Sequence, residues 1–463
     1  MHGRMLLPLL ACLVACTPGP DYVKPAVETA TAFKEAGDWK PAAAKEFSVD
    51  ERWWQVLGDP LLDDLEERLA VDNQNLKLAE AQYRAARATL DSLRSGLFPN
   101  VSAGFAKTRA DNATGSGVSS SYAATASLAW EIDLWGRIRR GIDSGEAKLA
   151  ASNADLAAAR LSMQATLAQT YTQLRAIDLQ AGLLGRTTAA YGRFLEMTRN
   201  RLKAGVASPL DVAQAETQLA SAQAQEIDLA NQRAQTEHAL AVLLGKPPAA
   251  LALPAQASLP TLPATPPLLP STLLENRPDI IAAERRVAAA NAQIGVASAA
   301  WFPVLDLGGT LGYRNASLAK LFDLPSRFWS FGPSLAMTLF DGGARSAAVD
   351  LAQASFDQTV ATYRQTVLTA FQEVEDNLAA SRLLAQEAQA QGRALAAAKR
   401  AREIAEHQYL AGTISALNVV TAQAAELATE VAAIGIASRR LQAAIQLQKN
   451  AAGRVPLASA AGS

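Results

Sequence analysis

SGLFPNVSAGFAKTR, residues 95–109, joins a helical pattern to a strand pattern within a few residues. An alanine-rich run with helical spacing reaches Phe98 and stops at Pro99. The residues that follow alternate between apolar side chains and small or polar ones, which is the period of a strand with two different faces. Proline has no N–H with which to continue a helix, and it disfavours helical backbone in the residue before it. The pair Phe98-Pro99 therefore predicts a boundary between a helix and a strand.

The same transition occurs a second time in AAWFPVLDLGGTLGYR, residues 299–314. Pro303 follows Phe302 there, 204 residues after Pro99, and the helical pattern before it aligns at the same offset. Self-similarity of this kind has to be recognised before domains are counted from length, and it predicts two repeats. The predicted boundaries are 51–244 for the first repeat, 245–272 for a proline-rich linker, 273–453 for the second repeat and 454–463 for a C-terminal tail.

Each repeat contains a very long helical pattern after its strands. No proline interrupts Arg137 to Lys203, so this segment predicts one rod of roughly 100 Å at about 1.5 Å per residue. Apolar residues recur every seven positions from Leu149 to Tyr191, and a similar row runs from Val349 to Ala370 in the second repeat. A sustained seven-residue period with many alanines is typical of closely packed coiled-coil helices.

Each rod is predicted to end in a tight helical hairpin. Gly205 and Gly412 suit the left-handed backbone that closes a helix. Ser208 and Ser415 follow three residues later and suit the N-cap of a returning helix. The predicted tips span 203–211 and 410–418.

Each repeat also contains a predicted β-hairpin, over 101–134 and 304–340. The strands are about ten residues long, the length of a tilted strand that crosses a membrane. Four strands cannot close a barrel in lipid, so the pattern predicts an oligomer with eight strands in a dimer or twelve in a trimer. The alternative is a soluble pair of hairpins with aromatic residues packed in a core. Aromatic residues gather at both strand ends, as at two lipid interfaces: Phe98, Trp135, Trp301, Phe302 and Phe340 at one, and Tyr122, Tyr313, Phe328 and Trp329 at the other.

The N-terminus has the pattern of a cleaved secretion signal. A short basic start precedes eleven apolar residues (5–15), too few to span a bilayer as a helix. LVAC then ends at Cys16 and resembles a bacterial lipobox, which implies a signal peptide over 1–15, a lipid such as palmitate on Cys16 and a lipidated segment over 16–50. LLAC, ending at Cys12, is a second candidate, and an ordinary signal peptide is the alternative. No other uninterrupted apolar run approaches the roughly 20 residues of a membrane helix.

Composition and charge exclude several classes of function. The chain has 43 Lys and Arg against 44 Asp and Glu with no block of like charge, so it lacks the basic footprint of a nucleic-acid-binding protein. Its three histidines, His2, His238 and His407, have no metal-ligand spacing, and both cysteines lie in the signal region. The sequence therefore predicts no catalytic site, no metal site and no cofactor apart from the covalent lipid.

Taken in order, several motifs resemble the TolC-like outer-membrane efflux channels, in the lipoprotein branch that serves RND-type tripartite pumps (NodT-type outer-membrane factors). The resemblance covers nearly the whole chain after the signal. It implies a mostly helical homotrimer with one twelve-stranded barrel in the outer membrane and a periplasmic tunnel of antiparallel coiled-coil helices. The motifs are CTPGPDYVKP (16–25), WWQVLGDPLLDDL (53–65), NQNLKLAEAQYRAARA (73–88), LWGRIRR (134–140), ENRPDIIAAERRVAAANAQIGVA (275–297) and LFDGGARSA (339–347).

The resemblance also implies partners and a gate. The tips would dock on a periplasmic adaptor (membrane fusion) protein and an inner-membrane RND transporter, which supplies the energy for export of drugs or other toxic compounds. Tyr409 and Asp211 match positions that link neighbouring coils in the family, so a hydrogen bond between them is a hypothesis for the closed tip. Asn418 and Thr421 stand where family members often have aspartates, so the resemblance does not extend to an acidic ring there.

Two other functions fit parts of the pattern. An exit duct for type I protein secretion shares this architecture, whereas the lipobox and the PGPDY start (18–22) favour the pump branch. A structural periplasmic coiled-coil lipoprotein would have no use for four strands of membrane length. The sequence leaves the substrate open among antibiotics, solvents, dyes and metal ions.

Overall fold

The structure, a computed structural model, describes residues 18–27, 33–36, 47–49, 52–111, 118–263, 277–451 and 454–456. Several predicted features lie outside these residues: the signal peptide (1–15), Cys12, Cys16, most of the segment up to residue 50, the loop 112–117, linker residues 264–272 and the tail beyond 456.

Long helices make up most of the described chain. They are α1 Pro60–Asp72, α2 Gln74–Ser95, α3 Arg137–Lys203, α4 Pro209–Leu243, α5 Pro278–Ala299, α6 Ala344–Leu410 and α7 Ala416–Asn450. The rod predicted from Arg137 to Lys203 is confirmed at both ends. Both α3 and α6 have 67 residues, both α4 and α7 have 35, and both α2 and α5 have 22. The same order of elements therefore occurs twice, with equal helix lengths.

The strands are β1 Phe47–Val49, β2 Asn100–Asp111, β3 Val118–Ile132, β4 Val304–Asn315, β5 Arg327–Ala336 and β6 Arg454–Pro456. β2 to β5 form one antiparallel sheet in chain order, and β1 pairs with β6. The second hairpin ends at Ala336 and not at residue 340, because Ala336 pairs with Val304, the first residue of β4. The first hairpin likewise ends at Ile132 and not at residue 134, because Ile132 pairs with Leu305 near the same end of β4.

The described chain divides into two compact units. The first contains residues up to Val27, Ala81–Asp155 and Ile281–Thr366, and so holds the four-stranded sheet. The second contains Glu28–Glu80, Leu156–Ile280 and Val367–Ser463, and so holds both helical tips.

In the first unit, the two transitions from helix to strand have the same backbone structure. After α2, the N–H groups of residues 96–98 each donate to the carbonyl three residues earlier, at 3.1 Å. After α5, the N–H groups of residues 300–302 do the same at 3.1 to 3.2 Å. Each helix thus ends in a 3₁₀ turn, and the strands begin directly after Pro99 and Pro303. Both boundaries lie where the Phe-Pro pairs predict them.

In the second unit, a leucine-rich core packs α1 against the middle of α3 and the end of α4. Trp53 and Trp54 are buried in this core, and the Trp53 indole N–H donates to Gln164 Oε1 at 3.2 Å. The fully buried leucines include Leu57, Leu62, Leu65, Leu69, Leu167, Leu174, Leu240 and Leu244.

The described part of the linker belongs to the second unit and is hydrogen-bonded to side chains of α3 and α4. Asp178, buried in α3, accepts hydrogen bonds from Arg233 at 2.7 Å and from the backbone N–H of Gln256 at 3.1 Å. The carbonyls of Leu253 and Pro254 accept from Arg233 and Arg175, each at 2.8 Å. These bonds satisfy backbone groups that an extended proline-rich segment could not pair internally.

Among the described helices, α7 has the length and apolar composition of a membrane span. The same composition is typical of an alanine-rich helix that packs against another helix, and α7 packs against α4.

Candidate functional site

The four-stranded sheet has one strongly apolar face. The pairing register places side chains of successive strands side by side on it, for example Trp130 opposite Leu307 and Gly309 opposite Phe331. Phe105, Trp329 and Phe331 are 62%, 71% and 65% exposed, so the described residues of this chain do not cover this face. The apolar and aromatic residues of this apolar face are Val101, Ala103, Phe105, Val118, Tyr122, Ala124, Ala126, Leu128, Trp130, Ile132, Leu305, Leu307, Gly309, Leu311, Tyr313, Trp329, Phe331, Pro333 and Leu335.

The opposite face carries small and polar side chains, because successive residues of a strand point to opposite sides. Thr125 lies beside Gly104 and Gly312, and a Cβ built on Gly312 would meet the Thr125 side chain at 3.0 Å. The other small residues of this face are Ser102, Ala106, Thr108, Ala110, Ser119, Ser121, Ala123, Ser127, Ala129, Gly308, Thr310, Ser330, Gly332, Ser334 and Ala336.

Aromatic side chains tie the helix end of the sheet to the neighbouring turns. The Trp135 indole N–H donates to the carbonyl of Pro303 at 2.7 Å, and its ring stacks on Phe302 at 5.0 Å. The Trp130 indole N–H donates to the carbonyl of Leu97 at 3.0 Å. Phe98 and Trp301 lie in the same turns, as predicted for this end, but Phe340 lies beyond the last strand.

At the other end of the sheet, three of the four predicted aromatic residues share the apolar face. These are Tyr122, Tyr313 and Trp329. Phe328 is an exception, because it lies on the polar face with the Arg314 guanidinium 5.1 Å above its ring. Phe328 still lies at the predicted end of the sheet, because the prediction concerned the strand end and not the face.

The first helical tip is closed by a capping box. Gly205 has a φ of 74°, and Ser208 is the N-cap of α4. The Ser208 backbone N–H and hydroxyl donate to Asp211 Oδ2 at 2.8 and 2.9 Å, while the Asp211 N–H donates to the Ser208 hydroxyl oxygen at 3.2 Å. The Asp211 carboxylate therefore accepts the backbone N–H of the N-cap residue of its own helix.

The second tip has the same backbone but a weaker cap. Gly412 has a φ of 77°, and Ser415 occupies the N-cap position of α7 without a side-chain bond to the helix backbone. The Ser415 hydroxyl instead accepts from the Asn418 side-chain amide at 3.2 Å. Thr421 is exposed and donates to the carbonyl of Leu417 at 2.8 Å.

The hydrogen bond predicted between Tyr409 and Asp211 is not formed within the chain. Tyr409 is buried, its ring lies 5.4 Å from Phe194, and the Arg201 guanidinium lies 4.6 Å above it. Arg201 also donates to the carbonyl of Tyr409 at 3.2 Å, whereas the Tyr409 hydroxyl has no partner within the described ranges. Stacking holds Tyr409, and the capping box holds Asp211. A gate formed with other chains stays a prediction.

Above the second tip, α6 and α7 are joined by a charged network that the sequence pattern did not reveal. Arg402 pairs with Glu406 at 2.7 Å and with Glu426 at 2.5 Å, and Lys399 pairs with Glu430 at 2.7 Å. Burial alone would lower the pKa of Arg402, but Glu406 and Glu426 raise it above its ordinary value. These residues line a cavity of about 390 Å³. Its acidic side chains are all paired, which favours a structural role, whereas Arg186, which also lines the cavity, forms no ion pair among the described residues.

The segment after the predicted lipidation site is docked in the first unit, which sequence periodicity could not show. Tyr22 donates a hydrogen bond to Glu284, and the Asn291 side chain donates to the carbonyl of Pro20 at 2.9 Å. Gly19 lies so close to Gly295 that a Cβ on Gly19 would approach the Gly295 Cα to 2.5 Å. PGPDY is therefore a packing motif on α5.

A family model described as outer membrane efflux protein matches residues 65–246 and 269–453. The chain belongs to the outer membrane efflux protein family.

Among the residues the structure describes, no group of three or more His, Cys, Asp or Glu side chains could hold a metal ion.

Relatives of this efflux protein match it over nearly its whole length. It is 34% identical over 455 residues to the outer membrane protein OprJ of Pseudomonas aeruginosa, covering 96% of this chain and 94% of OprJ. It is 32% identical over 446 residues to the probable efflux pump outer membrane protein TtgC of Pseudomonas putida, covering 94% and 92%. The solved outer-membrane channel OprN has the same fold, with a TM-score of 0.85 at 30% identity over 95% of this chain and 99% of OprN.

Proposed function

We propose that this efflux protein is the outer-membrane exit duct of a tripartite RND-type pump and conducts drugs or other small toxic compounds passively to the exterior. The observation that carries the proposal is the four-stranded sheet, with an uncovered apolar face, a polar opposite face and strands of 10 to 15 residues. A strand of 9–11 residues suffices to cross a bilayer when tilted. Such a sheet is suited to lipid on one side and water on the other.

Closure of the barrel requires further copies of the chain. β2 and β5 are the two edges of the sheet, and their outer backbone groups have no strand partner among the described residues. In lipid, unpaired backbone groups of this kind are not tolerated. Three copies would pair each β5 with the β2 of the next copy and form a twelve-stranded barrel, in line with the channel fold of OprN.

The helical body would extend into the periplasm and end at the two tips. Val206, Leu210 and Leu417 are more than half exposed there, which leaves apolar side chains available for contact with a periplasmic adaptor protein and, through it, an inner-membrane transporter. Cys16 would carry the lipid anchor, two residues before the docked PGPDY segment begins at Pro18.

The test is the mass and conductance of the mature protein purified in detergent. A particle of three chains that opens pores in planar bilayers is expected. A water-soluble monomer without pore activity would contradict the proposal and favour a periplasmic scaffold. Deletion of the gene should also lower resistance to pump substrates, whereas a defect confined to protein secretion would favour the type I duct.

A further inference from the structure

The apolar face ends in basic side chains at the end of the sheet farthest from the helices. Lys107 and Arg109 lie on β2, on the same face as Phe105 because the side-chain period is two. Arg327 is the first residue of β5 and lies on the same face as Trp329. We call Lys107, Arg109 and Arg327 the basic seam. The pairing of Lys107 with Tyr122 and of Arg327 with Tyr313 places all three near the outer aromatic residues.

The charges of the basic seam have no ion-pair partner among the described residues. Lys107 lies 5.4 Å from the centre of the Tyr122 ring, a contact that leaves its charge in place. In the described part of the chain, none of the three cations forms an ion pair with a carboxylate. Asp111, the last residue of β2, lies on the same face two positions after Arg109 without forming an ion pair with it, and Asp323 lies in the connection to β5. All three cations are exposed.

The position of these cations fits the headgroup layer of a membrane. A Lys or Arg on the lipid face destabilises a barrel strongly at the bilayer midplane but very little near the interface. Long basic side chains also reach toward the polar layer while their stems cover apolar surface. Placing the cations of the basic seam at this depth therefore costs little free energy, and a nearby anion would make their placement favourable.

The three cations come together only when copies of the chain assemble. β2 and β5 lie at opposite edges of the sheet, so Arg327 is separated from Lys107 and Arg109 within one copy. In the barrel proposed above, β5 of one copy lies beside β2 of the next. Each boundary between copies then combines Arg327 from one copy with Lys107 and Arg109 from its neighbour.

We propose that each basic seam binds the phosphate group of a lipid in the outer leaflet, an inference that rests on the proposed barrel. Arginine forks match phosphate oxygens in a bidentate manner, and lysine adds a point charge. Tyr122, Tyr313 and Trp329 offer apolar surface to the lipid chains beside the phosphate. The lipid would bridge two copies and so stabilise the trimer.

The experiment is native mass spectrometry of the detergent-purified trimer with diphosphoryl lipid A and with the same lipid after removal of its phosphates. We expect one phosphorylated lipid retained per boundary and little retention of the dephosphorylated lipid. The triple variant Lys107→Gln, Arg109→Gln, Arg327→Gln should weaken retention by about tenfold or more, since a charged hydrogen bond is worth about 1.5–3 kcal/mol. Arg314→Gln is the matched control, because Arg314 lies at the same end of the sheet on the polar face.

Equal retention of the two lipids, or unchanged retention by the triple variant, would overturn the inference. Full displacement of the lipid by inorganic phosphate at equal concentration would also overturn it, because the site would then recognise a free ion. If the triple variant does not assemble, the single variant Arg109→Gln is measured by the same criterion. A conducting trimer without phosphate-dependent lipid binding rejects only the basic seam, whereas the absence of any trimer rejects the proposed function itself.

Discussion

Glu66 is a buried carboxyl group in α1 without a hydrogen-bond partner for either oxygen in the described part of the chain. Burial raises the pKa of Glu66 well above its ordinary value, and the neighbouring Asp63 raises it further. A carboxyl group whose pKa is higher in the folded than in the unfolded chain stabilises the fold fully below its unfolded pKa. That contribution is lost as the pH rises through the folded pKa.

Glu66→Gln should therefore stabilise the protein at alkaline pH. We expect a higher melting temperature for Glu66→Gln at pH 8, where the buried carboxyl group opposes folding, and no gain near pH 4. Thermal unfolding of both proteins across this pH range measures the difference. Glu67→Gln is the control, because the Glu67 side chain is 60% exposed and should change the melting temperature little at any pH. A gain from Glu66→Gln that is independent of pH would contradict the titration of Glu66.

At the scale of single residues, the turn and cap residues could be predicted from the sequence, whereas the contacts of individual side chains could not. Gly205, Ser208 and Gly412 could be assigned from backbone requirements alone, since a positive φ and an N-cap are local properties. The partner of Tyr409 could not be predicted from the sequence. Arg201, which stacks on Tyr409, lies 208 residues away, and no local pattern encodes that contact. The docking of Tyr22 on Glu284, 262 residues apart, escaped prediction for the same reason.

The two tips form a natural comparison at the scale of whole elements. α4 begins with a complete capping box, whereas α7 begins at a serine without a side-chain cap. Ser208→Ala should cost about 1 kcal/mol in the first turn of α4, because it removes an acceptor from the Asp211 N–H. Ser415→Ala should cost clearly less.

Hydrogen exchange measured by mass spectrometry reports on the stability of both hairpins in each variant. Faster exchange is expected at residues 210–212 in Ser208→Ala, with residues 416–419 of Ser415→Ala close to the unaltered protein. Equal acceleration at the two sites would mean that the capping box does not stabilise the first tip.

Sequence reasoning gave element types and lengths where periodicity and proline decide them. The absence of proline from Arg137 to Lys203 was sufficient for α3, and Pro99 and Pro303 were sufficient for the starts of β2 and β4. Strand ends were less accurate, since β5 ends where its partner β4 begins, and pairing is a long-range property. The hydrogen bonds of the linker backbone with Arg175 of α3 and Arg233 of α4 could not be predicted, because contacts between different elements leave no local sequence pattern.

For the molecule as a whole, the two faces of the sheet give the proposed barrel its sharpest test. Phe331 and Ser330 are neighbours on β5 but lie on opposite faces. Phe331→Arg should cost about 2–4 kcal/mol in lipid and greatly reduce the yield of membrane-inserted trimer. Ser330→Arg should leave assembly intact and change single-channel conductance instead.

Comparing trimer yield and conductance for this pair tests the orientation of the sheet. If Ser330→Arg abolished assembly while Phe331→Arg did not, the apolar face would be buried between protein surfaces and not in lipid. Either variant has the same added charge, so a general effect of arginine on folding would appear in both.

The small residues of the polar face have a consequence for inhibition. In the proposed barrel the wall exposes mainly glycine, alanine, serine and threonine, for example Gly308, Thr310 and Ser334. A compound inside such a passage finds few side chains long enough to surround it, so tight binding there is difficult to achieve. Compounds designed to block this protein should therefore target the helical tips or the boundaries between copies, where larger side chains provide contact surface.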